Sequence, residues 1–216
     1  MEKCLNNLEK KIFWPIETIE TDSETYEVSC DVSSKKHLFY LSGKKSNRNY
    51  QLLKCLSHAF LAENVDPLFS AIIVEGPEKM PQKVFQDHIW PVFCISRVWF
   101  ADAVIIEKCP EEGKKEVRKK MDMIENWLIK GEIKPDISHV LQIALALAEG
   151  KNFSNIDEDL SGKIKLISQV FLEINPFTPD LQKLTLLNNG LLKTLSNYSV
   201  ETVPMDNSGN NIWRIS

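Results

Sequence analysis

The chain has 216 residues, enough for one domain whose core needs neither metal nor disulfide to hold it. Its 43 % hydrophobic and 26 % charged residues are ordinary globular values, which excludes a wholly disordered chain. A net charge of −4 and a pI near 5.7 argue against a dedicated nucleic-acid binder, whose affinity comes largely from neutralising phosphates.

The five cysteines, Cys4, Cys30, Cys55, Cys94 and Cys109, include no CxxC pair and form an odd set. Neither a zinc knuckle nor a disulfide framework is expected from that spacing, and a reducing, cytoplasmic compartment is the simplest expectation. The N-terminal MEKCLNNLEKKIFWP lacks the apolar centre of a signal peptide. No run of about 18 apolar residues predicts a membrane span.

Residues 2–11 are polar and suit a short helix or a frayed end. TYEVSCDV then alternates, with Tyr26, Val28, Cys30 and Val32 on one face and Glu27, Ser29 and Asp31 on the other. SSKK offers a polar turn and HLFYLSG a second apolar run. The stretch 24–42 therefore predicts a β-hairpin, with 12–20 a candidate third strand. KKSNRN at 44–49 marks a boundary between a β-containing appendage, 1–48, and a helical domain, 49–216.

Beyond that boundary the period is helical. Leu53, Leu56, Phe60 and Leu61 share a stripe across 50–64. DPLFSAIIVE at 66–75 reads equally as helix or buried strand, and GPEKMPQ as loop. Pro91 opens a helix, at the first-turn position helices accept, with Ile95, Val98, Trp99, Ile105 and Ile106 inward and Asp102 interrupting the stripe. Residues 111–130 predict an amphipathic helix with Val117, Met121, Ile124 and Leu128 inward, its basic residues alternating with acids as on a solvated face. In PDISHVLQIALALAEG at 135–150, Asp136 is a natural N-cap and Gly150 a natural stop. Most of that helix is apolar, and His139, Gln142, Ala146 and Glu149 line one narrow edge. Helices over 160–174 and 179–197 follow, the second open to division at Asn188-Asn189-Gly190, and IWRIS is a short terminal segment. The expected fold class is mainly α, a helical bundle with a small N-terminal β-hairpin element.

Catalytic signatures are scarce. LSGKKS lacks the first glycine and the Gly-Lys-Ser/Thr order of a phosphate loop. Asp31 has no second carboxylate on the following strand for a nuclease metal site. His37, His58, His88 and His139 form no HExxH or close pair, so no metal is expected. Asp87-His88 reads as a helix entry with Asp87 as cap. The polar edge of the 135–150 helix remains as a recognition surface, with Asp136, Ser138, His139, Gln142 and Glu149 as the candidate partner-binding residues.

ISRVWFADAVIIE, followed by EVRKKMDMIENWLIKGEIKPDISHVLQIALAL, resembles the catalytic domain of Ras-family guanine-nucleotide exchange factors. The first matches that family's aromatic-rich apolar helix, and the second its next helical pair, with Asp136, Ile137 and Ser138 at the turn element and 143–147 at the helix end. Upstream, DPLFSAIIVE is similar to the family's domain start, and the likeness spans about 66–204. Asp136 and Ile137 stand where the family has asparagine and an aromatic, and its wedge-like helical hairpin has no counterpart in the sequence. The resemblance implies a helical domain that binds a small GTPase and promotes nucleotide release, with no cofactor, nucleic acid or transmembrane segment. Tighter binding to the nucleotide-free GTPase would weaken nucleotide binding by the same factor. A non-catalytic helical adaptor that binds another protein is the alternative reading.

Overall fold

Two helices are apolar on most of their circumference, and such helices must lie at the centre of a fold. They are Gln82–Lys108 and Ile137–Ser154. The computed structural model describes every residue except 24, 44–47, 77–79, 131–135, 155–161 and 206–209, and only the backbone of 128–130. In chain order the elements are α1 (Glu2–Glu9), β1 (Ile16–Thr21), β2 (Glu27–Asp31), β3 (Lys36–Ser42), α2 (Arg48–Asn64), β4 (Val74–Glu75), α3 (Gln82–Lys108), α4 (Pro110–Lys130), α5 (Ile137–Ser154), α6 (Lys163–Leu172), α7 (Leu181–Leu195), β5 (Val200–Met205) and β6 (Asn210–Ile215). Among the described residues the fold is mainly α, with seven helices and two small three-stranded sheets.

The long helix α3 organises the body. Phe93, Trp99, Phe100, Ala103 and Ile105 are buried on it, and α2, α4, α5 and α7 all pack against it. Its length and hydropathy alone would let it cross a membrane, an outcome the apolar-run count does not anticipate. Here 67 % of its most apolar window is buried inside the fold, which is how the central helix of a packed core behaves. The helix does not begin at Pro91. It starts at Gln82 and passes through a π turn at Phe85–Ile89, where the Trp90 N–H bonds to the Phe85 carbonyl. Pro91 has no N–H to offer the turn before it, and the wider turn accommodates that missing bond inside a continuous helix. Asp87 therefore sits within the π turn and is not an N-cap.

Around this axis the amphipathic helices turn one side inward. On α4 these are Val117, Met121 and Ile124; the Leu128 side chain lies outside the described residues. Gly113 lets α4 cross close to the end of α3, since a Cβ there would lie 2.6 Å from Ile106 Cδ1 and 3.1 Å from its Cα. On α7, Gly190 does not divide the helix. It lies against Val170 of α6, and Asn189 next to it pins the start of β5 with two 2.8 Å bonds to the Val200 backbone.

The expected hairpin is β2–β3, antiparallel from Glu27 opposite Tyr40 to Asp31 opposite Lys36. Asp31 Oδ1 accepts the Ser33 and Ser34 amides in the turn, and Lys35 takes a left-handed φ of 51° to close it. The third strand, β1, runs parallel to β3, giving the order β1–β3–β2. A second sheet of the same plan, β4–β6–β5, was not expected from the sequence. The terminal IWRIS belongs to its central strand, and β5 tolerates Pro204 because it is an edge strand. DPLFSAIIVE resolves into a 3-10 turn at Pro67–Phe69, capped by Asp66, and an extended run into β4. Phe39 and Leu41 from the first sheet and Trp213 and Ile215 from the second join the same core as the helices. The 1–48 segment is thus fastened to the helical part by shared burial, and Glu63 of α2 adds bonds to the Phe13 and Trp14 amides and to His37 Nε2.

Candidate functional site

The polar edge of α5 separates into three environments. Asp136 is the N-cap, with Oδ1 accepting the His139 amide at 2.9 Å. His139 turns toward α4, its ring 4.3 Å from that of Trp127. Ser138 and Gln142 are exposed and stand at the mouth of a cleft. Glu149 does not share their surface. It is fully buried, with Lys120 of α4 against it, and the helix continues past Gly150 to Ser154.

Glu149 belongs to a buried charge cluster. Lys120 of α4 donates to Glu149 Oε2 at 2.6 Å and to Asp102 Oδ2 at 2.7 Å, and Lys54 of α2 contacts Asp102 Oδ1. Two lysines thus face two carboxylates. Burial, with the Lys120 charge in support, draws the Lys54 amine well below its usual range. The Lys54 ammonium also lies 5.3 Å from the Tyr50 ring centre. This cluster explains why Asp102 breaks the apolar stripe of α3: a buried carboxylate survives only where cations meet it.

The cleft next to it is built differently. It encloses about 490 Å³ between β2, α2, the segment at Ser70–Ile72, the N-terminal half of α3 and the start of α5. Its floor carries Arg97, whose Nε donates to the Phe93 carbonyl at 3.1 Å and whose Nη1 donates to the Ser70 carbonyl. Arg97 is 8 % exposed and has no carboxylate partner among the described residues. Burial pulls its guanidinium down from the usual value. The buried Ser70 hydroxyl lies beside the Cys30 thiol and has no nitrogen or oxygen partner.

His58 and Tyr26 flank Arg97, their rings 6.4 Å apart. His58 Nδ1 is 2.8 Å from the Phe69 carbonyl, and a carbonyl only accepts. Nδ1 therefore holds the proton and Nε2 is left as an acceptor. Burial, then the Arg97 charge, push the His58 pKa down to about 3, so the ring is neutral. Burial also raises the Tyr26 phenol and, against the opposing pull of Arg97, the Cys94 thiol. Near neutral pH the cleft floor holds one cation, a neutral imidazole, a phenol and an un-ionised thiol. At the rim, Glu27 is exposed, and Trp90 is 39 % exposed beside the π turn of α3.

Of the residues singled out from sequence, the structure brings Ser138 and Gln142 to this cleft. It assigns Asp136 to capping, His139 to an interhelical stack and Glu149 to the charge cluster. Arg97, His58 and Tyr26 went unselected. A signal existed for Arg97, an isolated charge within the apolar ISRVWF, of the same kind as Asp102. Against known proteins, no family model, no curated protein and no solved structure matches this chain.

Proposed function

We propose that this chain is a non-catalytic binding module whose recognition site is the cleft floored by Arg97. The observation that supports it most is the cleft itself, about 490 Å³ with the buried Arg97 on its floor, and the direction of its titratable groups agrees. A general base useful at neutral pH needs a pKa near that pH, and a thiol nucleophile needs its thiolate. His58 is held near 3, and Cys94 and Tyr26 are pushed upward by burial, so the cleft is furnished for holding a group. Its volume falls in the range of small-ligand sites, and its mix of aromatic, aliphatic and few polar groups is typical of them. Ser138 and Gln142 at the mouth supply register, the role expected of the α5 edge. The test is a panel of small polar compounds followed by melting temperature and Trp90 emission, with Gln142→Trp as a variant that fills the mouth. Compounds that shift the wild type should not shift the filled variant, and should be recovered unchanged after incubation. A compound consumed by the protein, or a shift that survives in Gln142→Trp, would sink the reading.

A second reading follows the sequence resemblance over 66–204: binding of a small GTPase and promotion of nucleotide release. It is favoured by one observation, the joint exposure of Ser138 and Gln142 on the front of α5. Glu149, buried against Lys120, takes no part in it. Release of a fluorescent guanine nucleotide from a panel of Ras, Rab and Arf-type GTPases decides it. Acceleration at substoichiometric protein supports exchange, and unchanged release rates across the panel remove it.

A further inference from the structure

Resting on the cleft as the binding site, we propose that its ligand is a small organic carboxylate, seated with its anionic group on Arg97 and a neighbouring hydroxyl on His58. The first step is charge. Among the described residues the other lysines drawn into the interior are matched: Lys54 faces Asp102, and the half-buried Lys120 faces Asp102 and Glu149. Arg97, 8 % exposed and on the same helix as Asp102, meets the carbonyls of Phe93 and Ser70 and the un-ionised Cys94 thiol. A buried guanidinium bonded to neutral acceptors alone has desolvation that is not offset by an opposite charge, and an entering oxyanion supplies it. The guanidinium borders a cavity large enough for a ligand.

The second step is the number of charges. Among the residues lining the cleft, Arg97 is the one permanent cation and Glu27, at the exposed rim, the one carboxylate; His58 is neutral. A single cation balances a carboxylate, whereas a phosphate dianion would bring a second negative charge with no partner. The third step is the neighbour. His58 and Arg97 are close enough for the cation to disfavour imidazolium, and the Nδ1 bond to Phe69 leaves Nε2 as an acceptor. An acceptor beside the guanidinium suits a donor placed next to the ligand's carboxylate. The buried Ser70 hydroxyl and the Tyr26 phenol add neutral hydrogen-bonding capacity on the same floor.

The experiment is calorimetric titration of the full chain with lactate, glycine, acetate, inorganic phosphate and a neutral control, lactamide. Lactate should bind more tightly than acetate, with glycine weakened by its ammonium beside Arg97 and lactamide and phosphate weakest. Arg97→Gln should weaken carboxylate binding by about tenfold or more. Because that variant also alters two buried bonds, the exposed mouth residue Gln142 provides an independent arm. Gln142→Lys should tighten carboxylate binding and Gln142→Glu should weaken it, each by a few-fold, with the melting temperature unchanged. Equal affinities for the two Gln142 variants, or phosphate binding where no carboxylate binds, would overturn the carboxylate assignment. Saturable binding of lactamide alone, abolished by Gln142→Trp, would overturn it too while leaving the binding-module reading intact.

Discussion

Asp102 and Arg97 stand on the same helix, little more than one turn apart, and each is a charge set in an apolar stripe. Asp102 is met by Lys54 and Lys120, and Lys120 by Glu149, so the cluster closes on itself with charges balanced. Arg97 is met by two backbone carbonyls, the un-ionised Cys94 thiol and a cavity. The difference separates two uses of buried charge. A matched cluster fixes how α2, α3, α4 and α5 sit together. An unmatched one leaves an electrostatic demand that the protein does not meet from its own described residues.

The largest test of this contrast is to unbalance the closed cluster. Asp102→Ala removes the one carboxylate that both lysines contact. It should cost about 3–5 kcal/mol, the usual result of breaking a buried ion pair from one side. Lys54→Met with Asp102→Leu leaves Lys120 and Glu149 as a matched pair and should recover most of that loss. Urea unfolding reads both. A double variant as unstable as the single one would show that charge balance is not what the cluster provides.

The sequence made these charges visible but not their partners. Asp102, Glu149, Lys54 and Arg97 all interrupt apolar runs, and that pattern alone says each must be satisfied once buried. Which of them meet depends on helix order and crossing, and periodicity carries neither. The helices were legible for the same reason the partners were not: 3.6-residue spacing is a local signal, readable on α2, α4, α5 and α7 from one face each. The second sheet was not legible, because β4 has two residues and β5 contains Pro204, and their pairing joins Val74 to Trp213 across most of the chain. The π turn was equally silent, since a proline near the start of an apolar run is what an ordinary helix entry looks like. Glu149 was read onto the polar edge because helix phase placed it beside Gln142. Phase gives direction on one helix and cannot say which neighbouring helix lies over which turn.

A smaller effect sharpens the contrast through pH. The closed cluster contains no histidine, whereas the cleft holds His58 neutral, facing Arg97, Tyr26 and the Phe69 carbonyl, with Lys54 as a further positive charge nearby. Its folded pKa of about 3 lies below the ordinary histidine value of 6.5. Between those two pH values the unfolded chain binds a proton that the folded one refuses. Stability therefore rises with pH across that window and falls on acidification. The loss from pH 6.5 to pH 5 should reach about 2 kcal/mol for this group. His58→Asn, whose amide can still donate to the Phe69 carbonyl, should flatten that slope. His37, also lowered by burial despite its bond to Glu63, leaves a residual dependence. A slope unchanged in His58→Asn would place the acid sensitivity elsewhere and break the link between the cleft and its neutral imidazole.

The smallest effect on stability discriminates most sharply between binding surface and core. Ser138 and Gln142 are exposed on the front of α5 and stand at the mouth of the cleft. Replacing both by alanine should move the unfolding free energy by no more than about 0.5 kcal/mol, the usual range for exposed positions without a cap, cavity or buried partner. Alanine also suits a helix better than serine, so a slight gain is the expected sign. The same double variant should still lower affinity for whatever occupies the cleft, since both side chains stand at its mouth. If melting falls sharply instead, the mouth is part of the packed interior and the cleft is closed in solution. If both stability and affinity are untouched, recognition is confined to the floor, and Arg97 with His58 must then account for all of it.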